Sequence, residues 1–79
     1  MNTNQKKWGI TVIDVIDASK AAEILREAGL KRISPEAVRL GVKQRVFPFG
    51  DYIEFEKSCR CIIYVKLLDK WIAERTVVD

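Results

Sequence analysis

The sequence predicts a small α+β domain in the order strand, helix, helix, hairpin, helix. Three observations carry that prediction. Apolar residues recur at helical spacing in two neighbouring stretches, Val15 to Leu25 and Val38 to Val42, and each stretch has its own start signal. The segment from Asp51 to Val65 alternates in character around a polar tip, as a hairpin does. A last stripe of Leu67, Leu68, Trp71 and Ile72 suits a closing helix that ends near Arg75. At 79 residues the chain has material for one core, so residues 8–79 form one domain behind a polar tail, residues 1–7.

In chain order, Trp8 to Ile13 is short and rich in β-branched residues, which predicts an edge strand. Asp14 is the expected cap of the first helix, with Asp17 in its first turn favouring the positive helix end. Val15, Ala18, Ala22 and Leu25 mark its apolar stripe, with Ala21 and Ala28 alongside, and Gly29 ends it. Ser34-Pro35-Glu36 is the strongest local signal. Serine caps, proline occupies a position where no N–H is needed, and glutamate complements the dipole. Ile33 is placed to pack on Val38 as a hydrophobic staple.

This second helix runs to about Gln44, with Ala37, Val38, Gly41 and Val42 inward and Glu36, Arg39 and Lys43 outward. Gly41 weakens a helix by about 1 kcal/mol relative to alanine, which predicts a close approach to the first helix. Pro48 stops the helix before Phe47. Phe47, Pro48 and Phe49 then seal the underside of the domain, and Ile53 and Phe55 are expected to face inward with Cys61, Ile63 and Val65. A helix pair followed by a hairpin is the winged helix-turn-helix arrangement. Trp8 and Trp71 lie in apolar patterns and read as packing residues; Tyr52 and Tyr64 receive no role.

Composition excludes several functions. There is no histidine, no glycine-rich phosphate loop and no nucleophile elbow, which argues against an enzyme; no catalytic residue is assigned. Cys59 and Cys61 cannot complete the usual four-ligand zinc site alone. They read as reduced packing thiols, with an ion shared between chains as the lesser alternative, and neither a cofactor nor a resident metal is expected. No apolar run reaches a membrane-spanning length of about 18 residues, and the polar start is not a secretory leader, so a cytoplasmic address without membrane partners is expected. The net charge of +3 is unevenly placed: residues 1–30 balance to zero, residues 31–66 carry +4 and the remainder −1. That asymmetry suits a polyanion, although on charge alone a solvated surface is the better reading.

The stretch "SPEAVRLGVKQRVFPFG", with the preceding "VIDASKAAEIL" and the later "YVKLLDKWI", resembles the excisionase-like DNA-binding proteins of phages and integrative elements, within the MerR-like winged-helix group. Val38, Arg39, Gly41 and Val42 match the V-R-x-G pattern, and Pro48, Phe49 and Gly50 match the P-F-G turn, in a likeness covering roughly residues 10 to 74. Arg45 departs from it, standing where members usually have glycine. Either a left-handed turn there costs about 1 kcal/mol or the helix ends differently. The loop from Leu30 to Ile33 is also longer than the group's tight turn.

The resemblance implies double-stranded DNA as partner, with the second helix in the major groove. Arg39 would read a base, gripping guanine bidentately. Lys43, Gln44 and Arg45 follow it along the helix end, the two cations contacting phosphate. Glu36 would accept from cytosine or, more simply, offset the helix dipole, and Ser34 with its neighbouring N–H groups would bind phosphate. Lys57, Ser58 and Arg60 would reach backbone or minor groove from the wing, with Lys20, Lys31 and Arg32 secondary.

The implied role is a recombination directionality factor, several copies bending DNA beside an integrase. A transcriptional regulator of the same fold is the near alternative. An adaptor or anti-repressor that binds protein instead of DNA is the alternative of another class.

Overall fold

A computed structural model describes residues 12–77. Within them a three-stranded antiparallel sheet packs with three helices in the order β1 (Val15–Ile16), α1 (Ala18–Glu27), α2 (Pro35–Lys43), β2 (Gly50–Glu54), β3 (Cys59–Tyr64) and α3 (Val65–Arg75). The element order matches the sequence expectation; the first elements are shifted.

Trp8 to Thr11 of the expected strand lie outside the described residues, and Val12 and Ile13 form no strand. The strand is Val15–Ile16, which pairs with Tyr64 and Ile63 at one edge of the sheet. Asp17, not Asp14, caps α1, its carboxylate accepting the Lys20 N–H at 2.8 Å. Both aspartates satisfy the local capping rule. Pairing with β3 decides between them by holding Val15 extended, and the Asp14 carbonyl accepts the Val65 N–H at 3.0 Å. Val15 therefore leaves the helical stripe, which consists of Ala18, Ala21, Ala22 and Leu25; Ala28 is exposed.

Both helices of the pair end in the same hydrogen-bond pattern. In α1 the Leu30 N–H reaches the Leu25 carbonyl and the Gly29 N–H the Arg26 carbonyl, with Gly29 at φ 117°. In α2 the Val46 N–H reaches the Gly41 carbonyl at 2.9 Å and the Arg45 N–H the Val42 carbonyl at 3.1 Å. This is the Schellman motif, whose residue after the cap must be left-handed. Arg45 takes that conformation at φ 64°, where a side chain costs roughly 1–2 kcal/mol relative to glycine. The start of α2 follows the sequence: Ser34 Oγ accepts the Ala37 N–H at 3.1 Å, and Ile33 packs on the cluster that contains Val38.

The turn at Arg45 throws the chain back across its own helix. The Phe47 N–H also reaches the Gly41 carbonyl, and the Phe47 ring lies on Gly41 so closely that a Cβ there would overlap it. What lies nearest to Gly41 is thus the Phe47 ring rather than the first helix. Phe47 stacks on Phe49 with centroids 5.1 Å apart, and Trp71 meets both rings edge-on at 5.6 and 5.3 Å. Such pairs contribute about 0.5–1.5 kcal/mol each beyond area burial. Phe49 is fully buried with Leu25, Val38, Ile63 and Leu68, so the sealing role expected of Phe47 and Phe49 and the packing role of Trp71 are met, while Pro48 stays exposed.

In the hairpin Cys61 and Ile63 face inward as expected, but β2 has the opposite phase from the one expected. Gly50 pairs with Ile63 and Tyr52 with Cys61, so Tyr52, Cys61 and Ile63 face the helices. Ile53 and Phe55 face away and are 41% and 55% exposed. Gly50 sets this phase: a Cβ there would overlap the Ile62 carbonyl, so only glycine passes beneath β3 at that point. Val65 is the first residue of α3, and Leu67 is 44% exposed, which leaves Leu68, Trp71 and Ile72 as the packed stripe.

The Phe47–Gly41 contact gives a stability prediction. Gly41→Ala should lower stability by about 1–3 kcal/mol through overpacking, even though alanine favours the helix by about 1 kcal/mol. In a Phe47→Ala background the same substitution should lose that cost in thermal unfolding. An equal cost in both backgrounds would show that the ring is not what excludes a side chain.

Candidate nucleic-acid interface

The outward row of α2 stands beside the inner face of the hairpin. The capped first turn presents Glu36, whose carboxylate is 3.8 Å from the Arg39 guanidinium one turn on. One further turn along, Lys43 Nζ lies 3.4 Å from Glu54 Oε2 of β2 and 5.5 Å from the centre of the Tyr52 ring. These are exposed pairs, of the kind that contributes about 0–1 kcal/mol. They orient the cationic heads without locking them, and an incoming anion can take their place.

Two shallow grooves flank this row. One, of about 410 Å³, is bordered by Arg39, by Cys59, Arg60 and Cys61 of β3, and by Asp17 and Ser19 at the start of α1. The other, of about 530 Å³, is bordered by Lys43, Arg45, Asp51, Tyr52 and Glu54. Arg39 and Arg60 thus border one groove, with the Arg60 side chain on the outer sheet face alongside its pairing partner Ile53, and Lys43 and Arg45 border the other.

The remaining sequence-derived candidates are placed less closely. Gln44 is the exposed C-cap of α2. The Ser34 hydroxyl oxygen is occupied as the helix cap. Lys57 and Ser58 are exposed at the hairpin end, where the Ser58 carbonyl closes the tip by accepting the Phe55 N–H at 2.7 Å; they border neither groove. Tyr52, Glu54 and Ser19 belong to the site and escaped the sequence reading. Tyr52 could have been found only by fixing the hairpin phase from Gly50.

Burial raises the Cys61 thiol, the nearby Arg39 guanidinium opposes that shift, and Cys59 adds to it. Tyr52 is pushed up to about 12, first by its hydrogen bond to the Cys59 thiol and then by burial and neighbouring negative charge. On the outer face Tyr64 donates to Asp51 Oδ2 at 2.7 Å, and this bond is the largest cause of its own upward shift.

Among the described residues no group of three or more histidine, cysteine, aspartate or glutamate side chains is arranged to hold a metal ion. None of their helices is long and apolar enough to cross a membrane. Comparison of the chain with protein-family models, with curated proteins and with solved structures finds no match. The functional reading therefore rests on the residues and their arrangement.

Tyr64 gives a pH prediction. Its proton is held more tightly in the folded chain than at the ordinary tyrosine value of 10.0, so the stabilisation is complete below that pH and lost as pH rises through the folded value. In a Tyr52→Phe variant, tyrosinate absorption should appear at higher pH in the folded chain than in urea, and Asp51→Asn should bring it down. Identical titrations with and without Asp51 would contradict the assigned cause.

Proposed function

We propose that the chain is a winged-helix DNA-binding protein, with α2 as the recognition helix and the β2–β3 hairpin as the wing. The observation that carries this reading is the exposed outward row of α2, Glu36, Arg39 and Lys43, which stands against the hairpin through the Lys43–Glu54 pair. In this reading Arg39 enters the major groove and grips guanine, while Lys43, Arg45 and Arg60 take phosphates and Lys57 and Ser58 extend the contact along the backbone. Glu36 holds the Arg39 head toward the groove through their loose pair, and the exchange of its partner for a base edge costs little.

The left-handed Arg45 supports the same reading. Glycine is the relaxed residue at that position, and a strained cation kept beside Lys43 is accounted for by a role as a phosphate ligand. Following the excisionase-like resemblance, the protein acts without catalysis as a recombination directionality factor: several copies occupy adjacent sites and bend the DNA for an integrase. Deformation of a 20–30 base-pair site costs about 1–6 kcal/mol, which multiple bound copies offset. A second reading, a protein-binding adaptor, is favoured by the outer sheet face, where Val15, Ile53 and Phe55 are exposed together with Leu67 of α3.

The test uses a duplex selected from a random pool and a scrambled control, read by fluorescence anisotropy. Arg39→Ala should cost about 1–3 kcal/mol on the selected site and much less on the control. Arg45→Gly should raise the thermal midpoint and weaken both duplexes alike. With about four phosphates neutralised, the slope of log K against log salt should be roughly −3 to −4. Absence of binding to either duplex at micromolar protein and low salt would favour the adaptor, and equal losses on both duplexes from Arg39→Ala would remove it as a base reader.

A further inference from the structure

Cys59 and Cys61 are both free thiols, one exposed and one half-buried. They occupy alternate positions of β3, so both side chains project from the face that carries Tyr52 and Ile63, and both border the groove beside Arg39. Same-face neighbours on one strand lie about 7 Å apart. That is at the far limit of the usual disulfide span of roughly 4.4–6.8 Å between Cα atoms, well past the commonest separation of about 5.5–6 Å. A direct S–S bond is therefore disfavoured, whereas a bridge lengthened by one interposed atom fits. Cys59 opens the approach from solvent, and Cys61 supplies the less hydrated inner ligand.

We propose that Cys59 and Cys61 form a two-thiolate chelate for a soft monovalent cation of the copper(I) class. The ligand set selects the ion. No group of three or more metal-binding side chains exists among the described residues, so zinc finds too few ligands there for its tetrahedral shell. Calcium and magnesium require oxygen ligands. Thiolate sulfur is soft and favours copper(I), which, unlike zinc, is held by as few as two such ligands. On binding, each thiol releases one proton to solvent and two S–Cu bonds form, with no change in oxidation state. The product carries one net negative charge, and the Arg39 guanidinium bordering the same groove offsets it. This site does not depend on the DNA-binding reading, and its test contains no DNA.

The experiment titrates the full, reduced chain anaerobically with the acetonitrile complex of copper(I) against a colorimetric copper(I) chelator. One ion per chain should be retained, with gel-filtration elution unchanged from the metal-free protein. Cys59→Ser and Cys61→Ser should each weaken retention by about tenfold or more, a loss at least as large as removal of outer-shell partners gives. Circular dichroism establishes that the variants remain folded. A second probe needs no variant: phenylarsine oxide should add once per chain by intact mass, consume both thiols, and be blocked by prior loading with copper(I). No retained copper, retention by either single variant, copper held only in a larger assembly, or arsenical adducts on separate thiols would each overturn the chelate.

Discussion

The Phe47 ring lies on the backbone of Gly41, and the relation of the hairpin to the second helix depends on that contact. A left-handed residue at Arg45 reverses the chain, two N–H groups converge on the Gly41 carbonyl, and the ring takes the space where a side chain would stand. Pro48 prevents the helix from continuing, so Phe49 falls into the core in mutual contact with Phe47 and Trp71. Gly50 then passes beneath Ile62 and fixes the first residue pair of the hairpin. Two glycines thus do different work: one admits an aromatic ring, the other a neighbouring strand.

Everything at the surface follows from this hand-over. Once Gly50 pairs with Ile63, Tyr52 and Glu54 must project toward α2, where they meet Lys43. Arg39, one turn earlier on α2, consequently stands near Cys61 and borders the same groove as Cys59 on β3. The cations of the helix are therefore tethered lightly to acidic partners and to an aromatic face. A field of mixed sign of this kind binds nonspecific anions less strongly than a bare basic patch and places more of the discrimination on geometry.

Features governed by a few adjacent residues were legible in the sequence. The Ser34 cap, the proline at the start of α2, the Gly29 stop and the buried Val38, Gly41 and Val42 required only local rules. The left-handed turn at Arg45 emerged as one of two outcomes because a basic residue stood where glycine was expected. Features settled by distant partners were not legible. Asp14 and Asp17 are equivalent as caps until pairing of Val15 with Tyr64 holds the intervening backbone extended. Ile53 and Phe55 are more apolar than Tyr52, so alternation alone assigned the wrong face; the steric demand of Gly50 against β3 outweighs hydrophobicity in a hairpin only five residues long on that side. Gly41 announced a close approach, but the identity of the approaching group depended on where the chain went six residues later.

The central claim is that the outward row of α2 and the hairpin together form one face that receives duplex DNA. Backbone amide chemical shifts of the labelled chain, followed as a short duplex is added, test it most directly. The account predicts changes at Glu36 to Arg45 and at the hairpin end from Phe55 to Arg60, with Leu67 to Arg75 unaffected. Changes confined to Val15, Ile53 and α3, with α2 silent, would contradict it.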